Sequence, residues 1–78
     1  MKKSRYSGVT LWLINAMERT GKATRSRILA EIRLQHPTMR SCCGAESAFS
    51  VGIKDLQENG DVFITEGNMA NPNLYNLD

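Results

Sequence analysis

The sequence predicts an α+β fold, mostly α, in which three helices precede a C-terminal two-stranded β-hairpin. Two observations predict it. Three stretches before residue 60 carry apolar residues at helical spacing, and each is followed by a glycine or a proline. Beyond them, two short β-favouring runs, Val62-Phe63-Ile64-Thr65 and Asn73-Leu74-Tyr75-Asn76-Leu77, flank a loop rich in Gly and Asn with one Pro.

The first helix is expected over 7–20, where Val9, Leu11, Trp12, Leu13, Ile14, Ala16 and Met17 supply a broad apolar face and Gly21 a stop. Thr24 is placed to cap a second helix carrying Ile28, Leu29 and Ile32. That helix ends near Gln35, because Pro37 disfavours helical geometry at His36. The third helix, over 45–59, has the cleanest period: Ala45, Ala48, Phe49, Gly52, Ile53 and Leu56 fall on one face. Ser47, Ser50, Val51, Lys54 and Glu58 fall on the other, and Asn59-Gly60 supplies the C-terminal cap. Trp12, Ile32, Phe49, Ile53 and Leu56 are expected to meet in one core.

Seventy-eight residues suit a single domain over 1–78, with a basic N-terminal arm at 1–6 and the hairpin at 61–78. A chain this short hides only somewhat more than ~60% of the surface its unfolded form exposes, so nearly all of it must contribute to the core. Hydrophobic residues make up 41% and charged residues 23%, the balance of a folded domain rather than a disordered tail. No apolar run approaches the ~20 residues of a membrane span. The basic start resembles the first part of a signal peptide, but the apolar run after it is short and passes into helical periodicity, so no membrane association and a cytoplasmic location are expected.

Cys42 and Cys43 are adjacent, which makes a bridge between them strained and unable to close a long loop. With His36 they offer three metal ligands against the four of a structural zinc site, so no metal and no cofactor are expected. Catalysis is not expected either. The single histidine stands beside a proline, and no nucleophile–base set, paired carboxylates or phosphate-binding glycine loop can be assembled; Thr20-Gly21-Lys22 lacks the upstream glycine of such a loop. Nothing in the chain suggests a small-molecule substrate.

Charge is unevenly spread along the chain. The first forty residues hold nine cations and two acids, whereas the rest hold Lys54 against six acids, for a net charge of +2. Cations near phosphates drive nonspecific affinity for DNA, so a duplex is expected against the N-terminal half.

The run FSVGIKDLQENGDVFI, a proline-containing loop and then LYNL resemble the third helix and wing of winged helix-turn-helix transcription factors. The matching features are Phe49, Leu56 with Gly60 four residues later, Val62 at the strand start, and the closing Leu74-Tyr75-x-Leu77. With the two upstream helices the resemblance covers nearly the whole chain, and the size is similar to that of small regulators encoded by bacteria, plasmids and phages.

The resemblance implies a transcriptional regulator that binds double-stranded DNA. It directs Ser47, Ser50, Val51 and Lys54 toward base edges in the major groove, and Lys22, Thr24 and Arg25 toward phosphates. Charge adds Lys2, Lys3, Arg5 and Arg40 to the phosphate-contacting set. Self-association as a homodimer, or a partner regulator, would double the contact surface. The chain departs from the pattern in its long link between the second and third helices and in a wing tip without Lys or Arg. The alternative function is a protein-interaction module on the same fold, in which the acidic third helix and hairpin bind another regulator or a polymerase.

Overall fold

The computed structural model describes residues 3–38 and 42–78, without the side chains of Cys42 and Cys43. The expectations that those cysteines form no bridge and hold no metal, and that Lys2 and Arg40 meet phosphates, lie outside the described residues.

The chain is α+β and mostly helical. A 3-10 turn, Lys3–Arg5, leads to α1 (Val9–Thr20), β1 (Ala23–Thr24), α2 (Arg25–Gln35), α3 (Cys42–Glu58), β2 (Val62–Thr65) and β3 (Leu74–Leu77). The strands form one antiparallel sheet in the order β1-β3-β2. The expected two-stranded hairpin is therefore three-stranded. Ala23 and Thr24 pair with Tyr75 and Leu74, an association invisible to periodicity because β1 is two residues long and runs straight into α2.

Local chemistry sets the ends of the helices. Thr24 is extended, and its hydroxyl accepts from the Arg27 N–H, so α2 starts at Arg25 as its cap predicts. At the end of α3, Gly60 takes φ +70°; its N–H donates to Gln57 and that of Asp61 to Leu56. These two bonds make a Schellman closure, which the left-handed residue Gly60 permits without a Cβ penalty. Helix α1 starts at Val9 rather than residue 7, since Gly8 stands outside helical geometry at φ 60°. Helix α3 starts at Cys42 rather than residue 45, which shortens the link after α2 to residues 36–41.

Leu13, Ile14, Met17, Ile28, Ile32 and Leu56 are the largest side chains fully shut from solvent, and Phe49 and Ile53 join them. Trp12 does not enter this cluster. Helix α1 points Leu13, Ile14 and Met17 inward, which leaves the indole half-buried at the rim, stacked on the His36 ring with centroids 3.7 Å apart. Helices α1 and α3 approach closely at Gly52, where a Cβ would stand 2.6 Å from Cδ2 and 3.1 Å from Cβ of Leu13. Gly52 thus lets the two helix backbones meet. Val62, Ile64, Tyr75 and Leu77 lay one face of the sheet on the helices, while Phe63 and Thr65 face solvent.

Candidate nucleic-acid interface

The residues expected to read bases share one side of α3. Ser47, Ser50, Val51 and Lys54 are all exposed, and the pairs Ser47–Ser50, Ser47–Val51, Ser50–Lys54 and Val51–Lys54 stand three or four residues apart, as neighbours on a helix surface do. Val51 is 54% exposed and borders a shallow open depression with Lys54, Asp55 and Glu58. Asp55 faces partly inward, accepting a hydrogen bond from the Thr10 hydroxyl at 3.2 Å.

The residues expected at phosphates are more scattered. Lys22 is exposed just before β1, and Thr24 and Arg25 stand at the start of α2. The Thr24 hydroxyl already has the helix cap to hold and exchanges a second hydrogen bond with Ser26 at 3.2 Å. Arg25 is fixed differently. Its guanidinium lies over the Phe49 ring, 5.4 Å from the centroid, and Phe49 meets Tyr75 edge-on at 5.0 Å. This stack joins the start of α2, the middle of α3 and β3 at one place, and Ser50, the residue after Phe49, is exposed. A cation over an aromatic face gains ~0.5–1 kcal/mol where solvent reaches it, enough to bias a flexible side chain toward one position.

No protein family profile, curated protein or solved structure matches this chain. The candidate interface therefore rests on its own residues.

Part of the basic half is neutralised internally. Lys3, on the 3-10 turn, donates to Glu18 of α1 at 2.9 Å, with both side chains about half exposed. Glu31 is buried and receives Arg19 and Arg27 at 3.8 and 3.9 Å. Among the described residues, Arg5, Lys22, Arg25, Arg33 and Lys54 form no ion pair.

Sequence reasoning missed the anchoring of the N-terminal segment. Tyr6, inside the expected arm, is buried, and its hydroxyl donates to the buried Asp61 carboxylate. Its pKa is pushed up from 10.0 to about 12, first by burial, then by the bond to Asp61 and the negative charges of Asp61 and Asp55. A lone aromatic between Arg5 and Ser7 gave no periodic signal; its place depends on a partner 55 positions away. The described side chains expected at the duplex thus fall in three places. Arg25, Ser47, Ser50, Val51 and Lys54 lie on or against α3, Lys22 and Thr24 stand at β1 before α2, and Lys3 and Arg5 belong to the segment that Tyr6 ties to the α3–β2 turn.

Proposed function

We propose that this protein is a winged helix domain that binds double-stranded DNA as a transcriptional regulator and has no catalytic role. Three helices closed by an antiparallel hairpin are compatible with that fold. The observation that carries the reading is the Arg25–Phe49 stack, which holds against α3 a cation with no ion pair among the described residues, on the helix that also exposes the uncharged Ser47, Ser50 and Val51. Phosphate contacts position a protein on a duplex and base-edge contacts give it sequence preference. Arg25 and Lys22 supply the first kind. Serine hydroxyls, the Lys54 ammonium and the Val51 methyls supply the second, the last against a thymine methyl.

Helix α3 itself carries one cation against three acids, Glu46, Asp55 and Glu58. The duplex accordingly approaches α3 from the side of Arg25 and Ser50, with the Glu58 end farther from phosphate. A location in the cytoplasm and assembly as a homodimer or with a partner regulator belong to the same reading. Among the described residues, no helix is long and apolar enough to cross a membrane.

A second reading draws on one specific feature. The depression formed by Val51, Lys54, Asp55 and Glu58 combines an exposed apolar side chain with two acids, which suits a basic protein partner such as another regulator or a polymerase. A salt titration with a random-sequence duplex separates the two. DNA binding by Arg25, Lys22 and the N-terminal cations gives an affinity that falls steeply and linearly in log–log form as salt rises. No binding at low salt overturns the DNA reading in favour of the protein partner.

A further inference from the structure

We propose that the free edge of β2 pairs antiparallel with β2 of a second copy of this chain, about a two-fold axis through Phe63, so that the two sheets become one. This goes beyond the DNA-binding reading and is independent of it. In the sheet order β1-β3-β2, β2 is an outer strand. Its ladder to β3 decides which of its backbone groups are already used. The Asp78 N–H donates to the Asp61 carbonyl at 2.9 Å, one step beyond the pair Val62–Leu77. Hydrogen-bonded and non-bonded pairs alternate in an antiparallel ladder, so Phe63–Asn76 and Thr65–Leu74 are the bonded pairs. Val62 and Ile64 therefore aim their N–H and C=O groups away from β3, and among the described residues no other backbone hydrogen bond reaches them.

A row of unpaired N–H and C=O groups is a template for another strand, and edges of this kind are commonly blunted by Lys, Pro, a bulge or a covering segment. Val62-Phe63-Ile64-Thr65 holds no charge and no proline, its register with β3 is unbroken, and Phe63 is 58% exposed on the solvent face. The opposite edge differs, since β1 is two residues long and runs straight into α2. A second β2 fits because the outward residues lie symmetrically about Phe63. With Phe63 opposite Phe63 of the second copy, Val62 meets Ile64 of that copy, and every outward N–H of the pair meets an outward C=O. Inner-face residues stay beside inner-face residues, and Asp61 opposes the neutral Thr65. A slip of one residue would set Asp61 against Glu66 and mismatch the two faces. In the proposed register Glu66 of the second copy arrives opposite Gly60, at the end of the edge where Tyr6 holds Asp61. Arg5 supplies the opposite charge there: it forms no ion pair among the described residues and lies near enough to the Tyr6 hydroxyl for its charge to act on it.

The test uses the full chain without DNA. A strand edge this short makes a small, transient interface, so sedimentation equilibrium should show a dimer fraction that grows with protein concentration. Phe63→Lys removes the central aromatic pair and sets like charges opposite each other, and should weaken dimerisation about tenfold. Circular dichroism should be unchanged, because the Phe63 side chain faces solvent. Non-bonded antiparallel pairs hold their Cα atoms ~4.5 Å apart, within the span of a disulfide. In a chain carrying Cys42→Ser and Cys43→Ser, Phe63→Cys should therefore cross-link two copies on mild oxidation. Thr65→Cys in the same chain should cross-link far less, since its counterparts stand on the order of 13 Å apart across the axis. A parent that stays monomeric at millimolar concentration overturns the proposal, as do dimers unaffected by Phe63→Lys or equal cross-linking at both positions. With no duplex present, each of these failures leaves the DNA-binding reading intact.

Discussion

The phenol of Tyr6 donates a hydrogen bond to the Asp61 carboxylate, tying the segment before α1 to the turn after α3. Tyr6 is 5% exposed and Asp61 7%, so water compensates neither group if the bond is lost. Asp61 also donates its N–H to Leu56 and accepts the Asp78 N–H at its carbonyl, both at 2.9 Å. Tyr6 and Asp78 therefore both bond to Asp61. Tyr6→Phe should destabilise the fold by ~1–3 kcal/mol, the cost of leaving a buried polar partner unsatisfied, measured by urea denaturation at neutral pH.

The same pair gives the fold an alkaline limit. Because the folded-state pKa of Tyr6 is raised from 10.0 to about 12, the neutral phenol is favoured by folding. Its contribution is fully present below pH 10 and is lost as pH rises from 10 through about 12. Melting temperatures of the parent should fall across that window more steeply than those of Tyr6→Phe. Parallel curves would remove Tyr6 as the cause.

Gly52 should tolerate no side chain. Adding a Cβ at 3.1 Å from the Leu13 Cβ strains two helix backbones, which Leu13 cannot relieve by rotating its outer methyls. Overpacking of this kind costs ~1–3 kcal/mol. Gly52→Ala should therefore lower the denaturation midpoint, although alanine is the better helix former by ~1 kcal/mol. A raised midpoint would show that α1 and α3 separate freely.

Phe49 serves the core and the candidate interface together. Phe49→Ala should cost ~3–5 kcal/mol by removing a buried ring, measured by thermal or urea denaturation. Phe49→Leu restores much of the buried volume but not the aromatic face under Arg25, so it should keep more stability and still weaken binding to duplex DNA. Equal DNA affinity in the parent and Phe49→Leu would show that Arg25 needs no platform.

Lys54 and Arg25 should separate base reading from phosphate binding. If the Lys54 ammonium reaches a guanine edge, Lys54→Ala costs ~1–3 kcal/mol on a selected site and much less on random duplex. Arg25→Ala should weaken binding to all sequences alike and flatten the salt slope by about one unit. Equal losses on both kinds of duplex would make Lys54 a phosphate contact instead.

The three helices, the Thr24 and Gly60 caps and the hairpin strands were legible in the sequence, because these depend on neighbours within a turn or two, whereas the starts of α1 and α3 were not. Thr24 caps whatever helix follows it, Gly60 closes α3 by local bonds, and the spacing of Ala45, Ala48, Phe49, Ile53 and Leu56 turns one face inward. The same spacing placed Ser47, Ser50, Val51 and Lys54 outward. Only the tertiary structure decided that Ala23 and Thr24 form a strand, since a two-residue strand exists only where β3 lies beside it. Only the tertiary structure moved Trp12 to the rim against His36 and joined Tyr6 to Asp61. The uneven charge along the chain likewise concealed the pairs Lys3–Glu18 and Arg19–Glu31, whose partners lie about a dozen or more residues apart. Each of these depends on long-range packing, which composition and periodicity do not encode, and so does the placement of Arg25 over Phe49.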